Sequence, residues 1–153
     1  MSFEIKGIEN IDLMRKAYDN ILRDTAKKIM ADIMLEVVRL TNLGINAYGK
    51  PFLPYASSTV KKKAKQGKST TPNMQDTSSM ISSLSFVKSK TKKGFASQAI
   101  GVRGSYKGIS NRKKLRHLKD MKNYVILEWT PYYDKIVKKH LKVMNEKVGR
   151  LFV

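Results

Sequence analysis

The sequence predicts an α+β domain in which a long N-terminal helix and a C-terminal helix pack on a small antiparallel β-sheet, with extended basic loops. Three observations lead there. Apolar residues recur at helical spacing from Asn10 to Leu40, uninterrupted by Gly or Pro. Alternating apolar and polar residues flank a Lys-rich turn at Gly94. Thr130-Pro131 then opens a second stripe of period 3.6. The 153 residues suffice for one domain, divided as helix (1–43), loop and short helical segments (44–83), antiparallel sheet (84–129) and helix (130–149).

In the first helix, Met14, Ala17, Tyr18, Ile21, Leu22, Ile29, Ile33, Val37 and Leu40 share one stripe, with charged residues around them. Some 30 residues at 1.5 Å each give a rod of about 45 Å, long for so small a domain. Part of its face is therefore expected to pack on another subunit. Residues 41–57 carry Gly, Pro and Asn, which is loop chemistry. Ser58 to Gln66 suits a short basic helix stopped by Gly67. Asp76 or Thr77 caps a further short helix through about Ser83.

Leu84, Phe86 and Val87 precede the turn Lys90–Gly94, and Phe95–Val102 comes after it, which predicts a hairpin. Residues 103–122 contain Gly and Ser breaks and the cluster Arg112–His117. Tyr124–Trp129, rich in β-branched and aromatic residues, predicts a third, buried strand. In the last helix Thr130 takes the N-cap, Pro131 the first position, and Asp134 the first turn, where it favours the helix dipole. Tyr133, Ile136, Val137, His140, Leu141, Met144 and Val148 form its expected buried stripe, and Gly149 its stop.

The net charge is +19, and its location matters more than its size. Residues 1–49 are balanced, residues 50–122 carry +16, and residues 123–153 carry +3. A concentrated basic region attracts polyanions: nucleic acid, anionic membrane or an acidic partner. Its Lys-dominated runs, Lys61–Lys68, Lys88–Lys93 and Arg112–Lys122, suit phosphate attraction without base reading. The chain has no cysteine, which excludes disulfides, thiolate chemistry and cysteine-rich zinc sites. No apolar run is long enough to span a bilayer, and the N-terminus does not predict a signal peptide.

Gly44-Ile-Asn-Ala-Tyr-Gly-Lys50 matches G-x-x-x-x-G-K, the phosphate-cradling loop, up to its last residue. That loop needs a strand before it, a helix after it, and a Ser or Thr to hold magnesium. Here a helix precedes, Pro51 stands where the hydroxyl should be, and Pro54 comes soon after. The expectation is a glycine-built turn, not a nucleotide site.

Extended, the same stretch is Gly44-Ile45-Asn46-Ala47-x-Gly49-x-x-Phe52-x-Pro54-Tyr55. Lys61-Lys62-Lys63 comes next, then Asn73-Met74-Gln75-Asp76-Thr77-Ser78-x-Met80-Ile81-x-Ser83-Leu84. This resembles tailed-bacteriophage tail-completion and tail-terminator proteins, also known as head-tail joining, minor tail or virion morphogenesis proteins. Their pattern is G-[IV]-[DN]-A-x-G-x-x-[FW]-x-P-[YL], a basic stretch, then L-x-D-[TS]-G-x-[ML]-x-x-S-[LI]. The resemblance covers Gly44–Leu84, about a quarter of the chain. Asn46 stands where Asp is common, and Ser78 where Gly is usual.

The resemblance implies a structural virion protein, assembled in the host cytoplasm. It would form a homo-oligomeric ring, a hexamer, at the head-proximal end of the tail and touch tail-tube and neck proteins. It implies no catalytic residue, cofactor, metal or membrane. The expected subunit or partner contacts are Gly44, Ile45, Asn46, Gly49, Phe52, Pro54 and Tyr55, helped by the hairpin near Lys90–Gly94. The expected contacts to genomic DNA in the lumen, or to acidic partners, are Lys61, Lys62, Lys63, Lys65, Lys68, Lys90, Lys92, Lys93, Arg112, Lys113, Lys114 and Arg116. The alternative is a sequence-independent nucleic-acid-binding protein acting through the same basic region. Catalysis is not expected. His140 lies on an apolar stripe, His117 in a basic cluster, and the acids Asp76, Asp120, Glu128 and Asp134 are scattered. A nuclease would require the fold to join Asp76 and Glu128 to a Lys.

Overall fold

The computed structural model describes residues 8–73, 81–92, 94–122 and 125–151. Helix α1 runs over Ile8–Asn42 and α2 over Ser57–Lys65. Strands β1 (Leu84–Lys92) and β2 (Phe95–Val102) form the hairpin, and β3 (Ser105–Tyr106) and β4 (Ile109–Ser110) a second, minimal one. Helices α3 (Asn111–Lys122) and α4 (Pro131–Gly149) complete the chain. The class is α+β, as the helical and alternating patterns predict.

The α1 stripe is buried only toward its C-terminal end. Ile33, Val37 and Leu40 are inside, while Met14, Ala17, Tyr18, Ile21, Leu22 and Ile29 are half-buried. Ile33 and Val37 join Phe52, Ile81, Leu84, Ile126 and Tyr133 in one core. Around it pack Leu115 and Leu118 of α3, Ile100 and Val102 of β2, and Ile136 of α4. Burial of such side chains stabilises by roughly 1.5–3 kcal/mol each. The core thus sits at one end of a rod.

Helices α1 and α4 run antiparallel. Tyr133 lies beside Glu36, and further along α4 His140 Nε2 is 2.8 Å from Asp32 Oδ2. The long hairpin lies along α1, pairing Leu84 with Val102 at its base and Lys92 with Phe95 at its tip. Its register shifts between Phe86 and Lys88, a β-bulge. The tip is tied down where Gly94 N–H donates to Asp19 Oδ1 at 2.9 Å.

Several expectations need correction. The third strand predicted over Tyr124–Trp129 is not formed: Val125–Trp129 has no ladder. Its β-branched residues serve burial instead, with Val125 and Ile126 inside. The sheet does not extend over 84–129 either, because 111–122 is helix α3. Asn111 starts that helix, and its Nδ2 donates to the Arg103 carbonyl at 2.8 Å. Thr130 occupies the N-cap of α4 but makes no side-chain cap bond, and its buried Oγ1 is without a partner. Leu141 is exposed, unlike the rest of its expected stripe. The short helix expected from Asp76 or Thr77 begins outside the described residues, and Ile81–Ser83 is a turn.

Candidate functional site

The loop Gly44–Tyr55 begins as the C-cap of α1. Gly44 N–H donates to the Thr41 carbonyl at 3.0 Å and Ile45 N–H to the Leu40 carbonyl at 2.9 Å, the pair of bonds of a Schellman turn. Gly44 has φ +72°, where a β-carbon is strained, and that carbon would lie 2.9 Å from the Pro72 carbonyl oxygen. A helix precedes the glycine, so the phosphate-loop geometry is not built here.

Asn46 organises the turn itself. It is 0% exposed. Its Oδ1 accepts from Tyr48 N–H and Lys50 N–H, each at 3.0 Å. Its backbone N–H donates to the Lys50 carbonyl at 2.8 Å, and Ile45 bridges Pro51 across the turn. An Asx side chain thus replaces the backbone partners that the tight turn cannot supply. Gly49, at φ +77°, lets Tyr132 lie against the backbone: a β-carbon there would sit 2.5 Å from the Tyr132 hydroxyl. Ala47 N–H donates to the Val125 carbonyl at 2.7 Å, and Phe52 enters the core. The loop is therefore fixed to α1, to 125–130 and to α4.

This corrects the expected contact residues. Gly44, Asn46 and Phe52 are buried and shape the loop from within, so they are not surface contacts. Ile45, Gly49 and Tyr55 are half-buried, and Pro54 is exposed. Besides Pro54, the large apolar side chains that face outward lie at positions the motif leaves free, Tyr48 and Leu53, with Trp129 and Tyr132 beside the loop. Sequence reasoning missed these four because a motif marks what must be kept for shape. Their one signal was being large and apolar in a loop or, for Tyr132, in the first turn of α4.

Tyr48 also belongs to a polar chain. Its hydroxyl donates to Glu128 Oε2, and Lys119 Nζ of α3 pairs with Glu128 Oε1. Lys119 first, then Tyr48, holds the Glu128 carboxyl below its ordinary range. The carboxylate in turn raises the Tyr48 hydroxyl and the Lys119 ammonium. Nearby, burial and then Glu36 push Tyr133 up to about 12, and its hydroxyl donates to the Ile126 carbonyl at 3.3 Å.

The basic residues fall on three elements. On α2, Lys61, Lys62 and Lys65 are exposed, as is Lys68 just beyond. Lys63 is not: it is 7% exposed, with its ammonium 4.9 Å from the centre of the Tyr55 ring. It anchors α2 to the loop and leaves the set of expected polyanion contacts. Lys90 and Lys92 are exposed near the hairpin tip, and Lys93 lies outside the described residues. On α3, Arg112, Lys113 and Arg116 are exposed and Lys114 is half-buried. Lys90 lies six residues up β1 from the hairpin base, roughly 20 Å along the strand.

Beside α3 lies a groove of about 690 Å³ with an apolar floor of Ile100, Val102, Leu115 and Leu127. Arg112 and Arg116 line it one helical turn apart. Among the described residues no group of three or more His, Cys, Asp or Glu could hold a metal ion. Glu128 does lie against a Lys, but Asp76 falls outside the described residues. No helix of the described residues is long and apolar enough to cross a membrane. No protein family, curated protein or solved structure matches the chain.

Proposed function

We propose that the chain is a structural virion protein of a tailed phage. It closes a homo-oligomeric ring, a hexamer, at the head-proximal end of the tail, where it completes the tail and joins it to the neck. The observation that carries this is the division of roles in Gly44–Tyr55. Gly44, Asn46, Ala47 and Phe52 of the motif-like stretch hold the loop from inside, while Tyr48, Leu53, Trp129 and Tyr132 stay exposed around it. Aromatic side chains on a preorganised loop are effective interface anchors, because little ordering entropy is lost on contact.

The test is the solution mass of the purified chain, and its joining to purified tails that lack it, for wild type and Tyr48→Ala/Leu53→Asp. A discrete oligomer or tail joining in wild type, lost in the variant, supports the proposal. A wild type that stays monomeric at high concentration and ignores tails overturns it.

The exposed Lys61, Lys62, Lys65 and Lys68 favour a second function, sequence-independent nucleic-acid binding. It requires tight duplex binding by the monomer, with log K falling by about 0.9 per phosphate contact for each tenfold rise in salt.

A further inference from the structure

The two ends of α1 carry complementary surfaces. Helix α4 pairs with α1 at His140–Asp32, and its end, Gly149, lies nine residues further on, level with about Arg23 of α1. Helix α1 therefore overhangs α4 by the fifteen residues Ile8–Leu22, about 22 Å. The hairpin tip meets this overhang at Asp19. Beyond it Ile11 is 66% exposed and Leu13 61% exposed, on opposite sides of the helix. In a chain of net charge +19, the stretch Ile8–Met14 holds Glu9 and Asp12 and no Lys or Arg, and Asp12 makes only an exposed ion pair with Arg15 on its own helix, at 3.1 Å, which solvent leaves weak and exchangeable.

The α3 groove is the counterpart. Its floor is apolar, and neither Arg112 nor Arg116 makes an ion pair with another described residue. Lys119 is matched by Glu128, and Asp120 lies one turn beyond Arg116. Ile126, which lines the groove, shares the core with Val37. Val37 is 26 residues from Ile11, about 39 Å along α1, so the overhang cannot reach the groove of its own molecule.

We infer, resting on the ring proposed above, that the first turns of α1 of one copy dock in the α3 groove of the next. Ile11 lies on the apolar floor, and Asp12 faces Arg112 and Arg116. Because the two surfaces differ, the contact is head-to-tail, and repetition closes a ring when its rotation permits. The acidic residues in these first turns complement Arg112 and Arg116, and the apolar floor beneath Ile11 distinguishes this groove from the exposed lysines of α2.

The chain has no cysteine, so introduced cysteines report the contact cleanly. Ile11→Cys mixed with Leu127→Cys should form the mixed disulfide far faster than Ile11→Cys mixed with Ser69→Cys. Arg112→Glu/Arg116→Glu should reduce that cross-link at least about tenfold, since like charges would then face each other. Adding Glu9→Lys/Asp12→Lys should restore it. Solution mass of the same charge-reversed variants, with no cysteine present, gives the same answer if Leu127→Cys fails to fold. A wild-type oligomer with no cross-link above the control overturns this contact and leaves the ring standing. A cross-linked ladder that grows without closing keeps the contact and refutes the ring. A monomer with no cross-link refutes both.

Discussion

Asn46→Ala tests whether one side chain holds the loop. Its Oδ1 accepts two backbone N–H groups at 3.0 Å, and both lose their acceptor in the variant. Both bonds are part-buried, so each lost acceptor costs about 1.5 kcal/mol at most. Against this, Asn46 Nδ2 is itself buried without a partner, and removing it recovers about 1 kcal/mol. The net loss is at most about 2 kcal/mol, a fall of up to about 4–8 °C in Tm for a chain of this size. Thermal unfolding followed by circular dichroism measures it. Asn46→Asp keeps both acceptor positions and removes the orphan amide, so at neutral pH it should be less damaged than the alanine variant. The reasoning fails if Asn46→Ala shifts Tm by under about 1 °C, as an indifferent surface change would. It fails equally if the aspartate variant is as unstable as the alanine one.

Gly49→Ala should cost about 1–2 kcal/mol from its left-handed φ, with the Tyr132 hydroxyl displaced; combining it with Tyr132→Ala should cost less than the sum, by denaturant unfolding of all three variants. Lys63→Glu should destabilise the chain by about 1–3 kcal/mol, because it buries an unpaired charge, while Lys61→Glu and Lys62→Glu stay within about 0.5 kcal/mol. For Glu128 the folded pKa is depressed, so its contribution is present above the ordinary carboxylate value of about 4.3 and is lost as pH falls through the folded value. Tm measured against pH should therefore drop more steeply on the acid side in wild type than in Glu128→Gln.

Where local chemistry decides, the sequence was readable. The uninterrupted stripe located α1, Gly67 marked the stop of α2, and Thr130-Pro131 marked the start of α4. The hairpin followed from alternation around Gly94. Val125–Trp129 failed because β-branched residues report burial as much as pairing. Val125 and Ile126 are buried, and among the described residues Val125–Trp129 pairs with no strand. Helix α3 was hidden by the Gly and Ser breaks upstream, although Arg112–Lys122 itself has no breaker. At the candidate site, the motif located the loop and the structure inverted its meaning. Asn46 and Phe52 point in, Tyr48 and Leu53 point out, and only three-dimensional packing separates the two sets. Lys63 was misassigned for a related reason, since a run of three lysines does not reveal which one turns toward Tyr55.

The bond from Phe52 N–H to the Gly44 carbonyl, at 2.8 Å, places the start of the basic segment beside Gly44. Its end, at Thr71 and Pro72, lies against the same glycine. The chain between them leaves and returns through one doorway, and α2 is a side excursion that the main fold does not need in order to connect. Closing such a loop by a shorter route changes its entropy only by about 0.6 kcal/mol for each halving of length. Apart from buried Lys63, which packs on Tyr55, the exposed lysines of this helix can thus be changed with little effect on the core. A lineage could retune the attraction of this surface without touching the architecture that presents it.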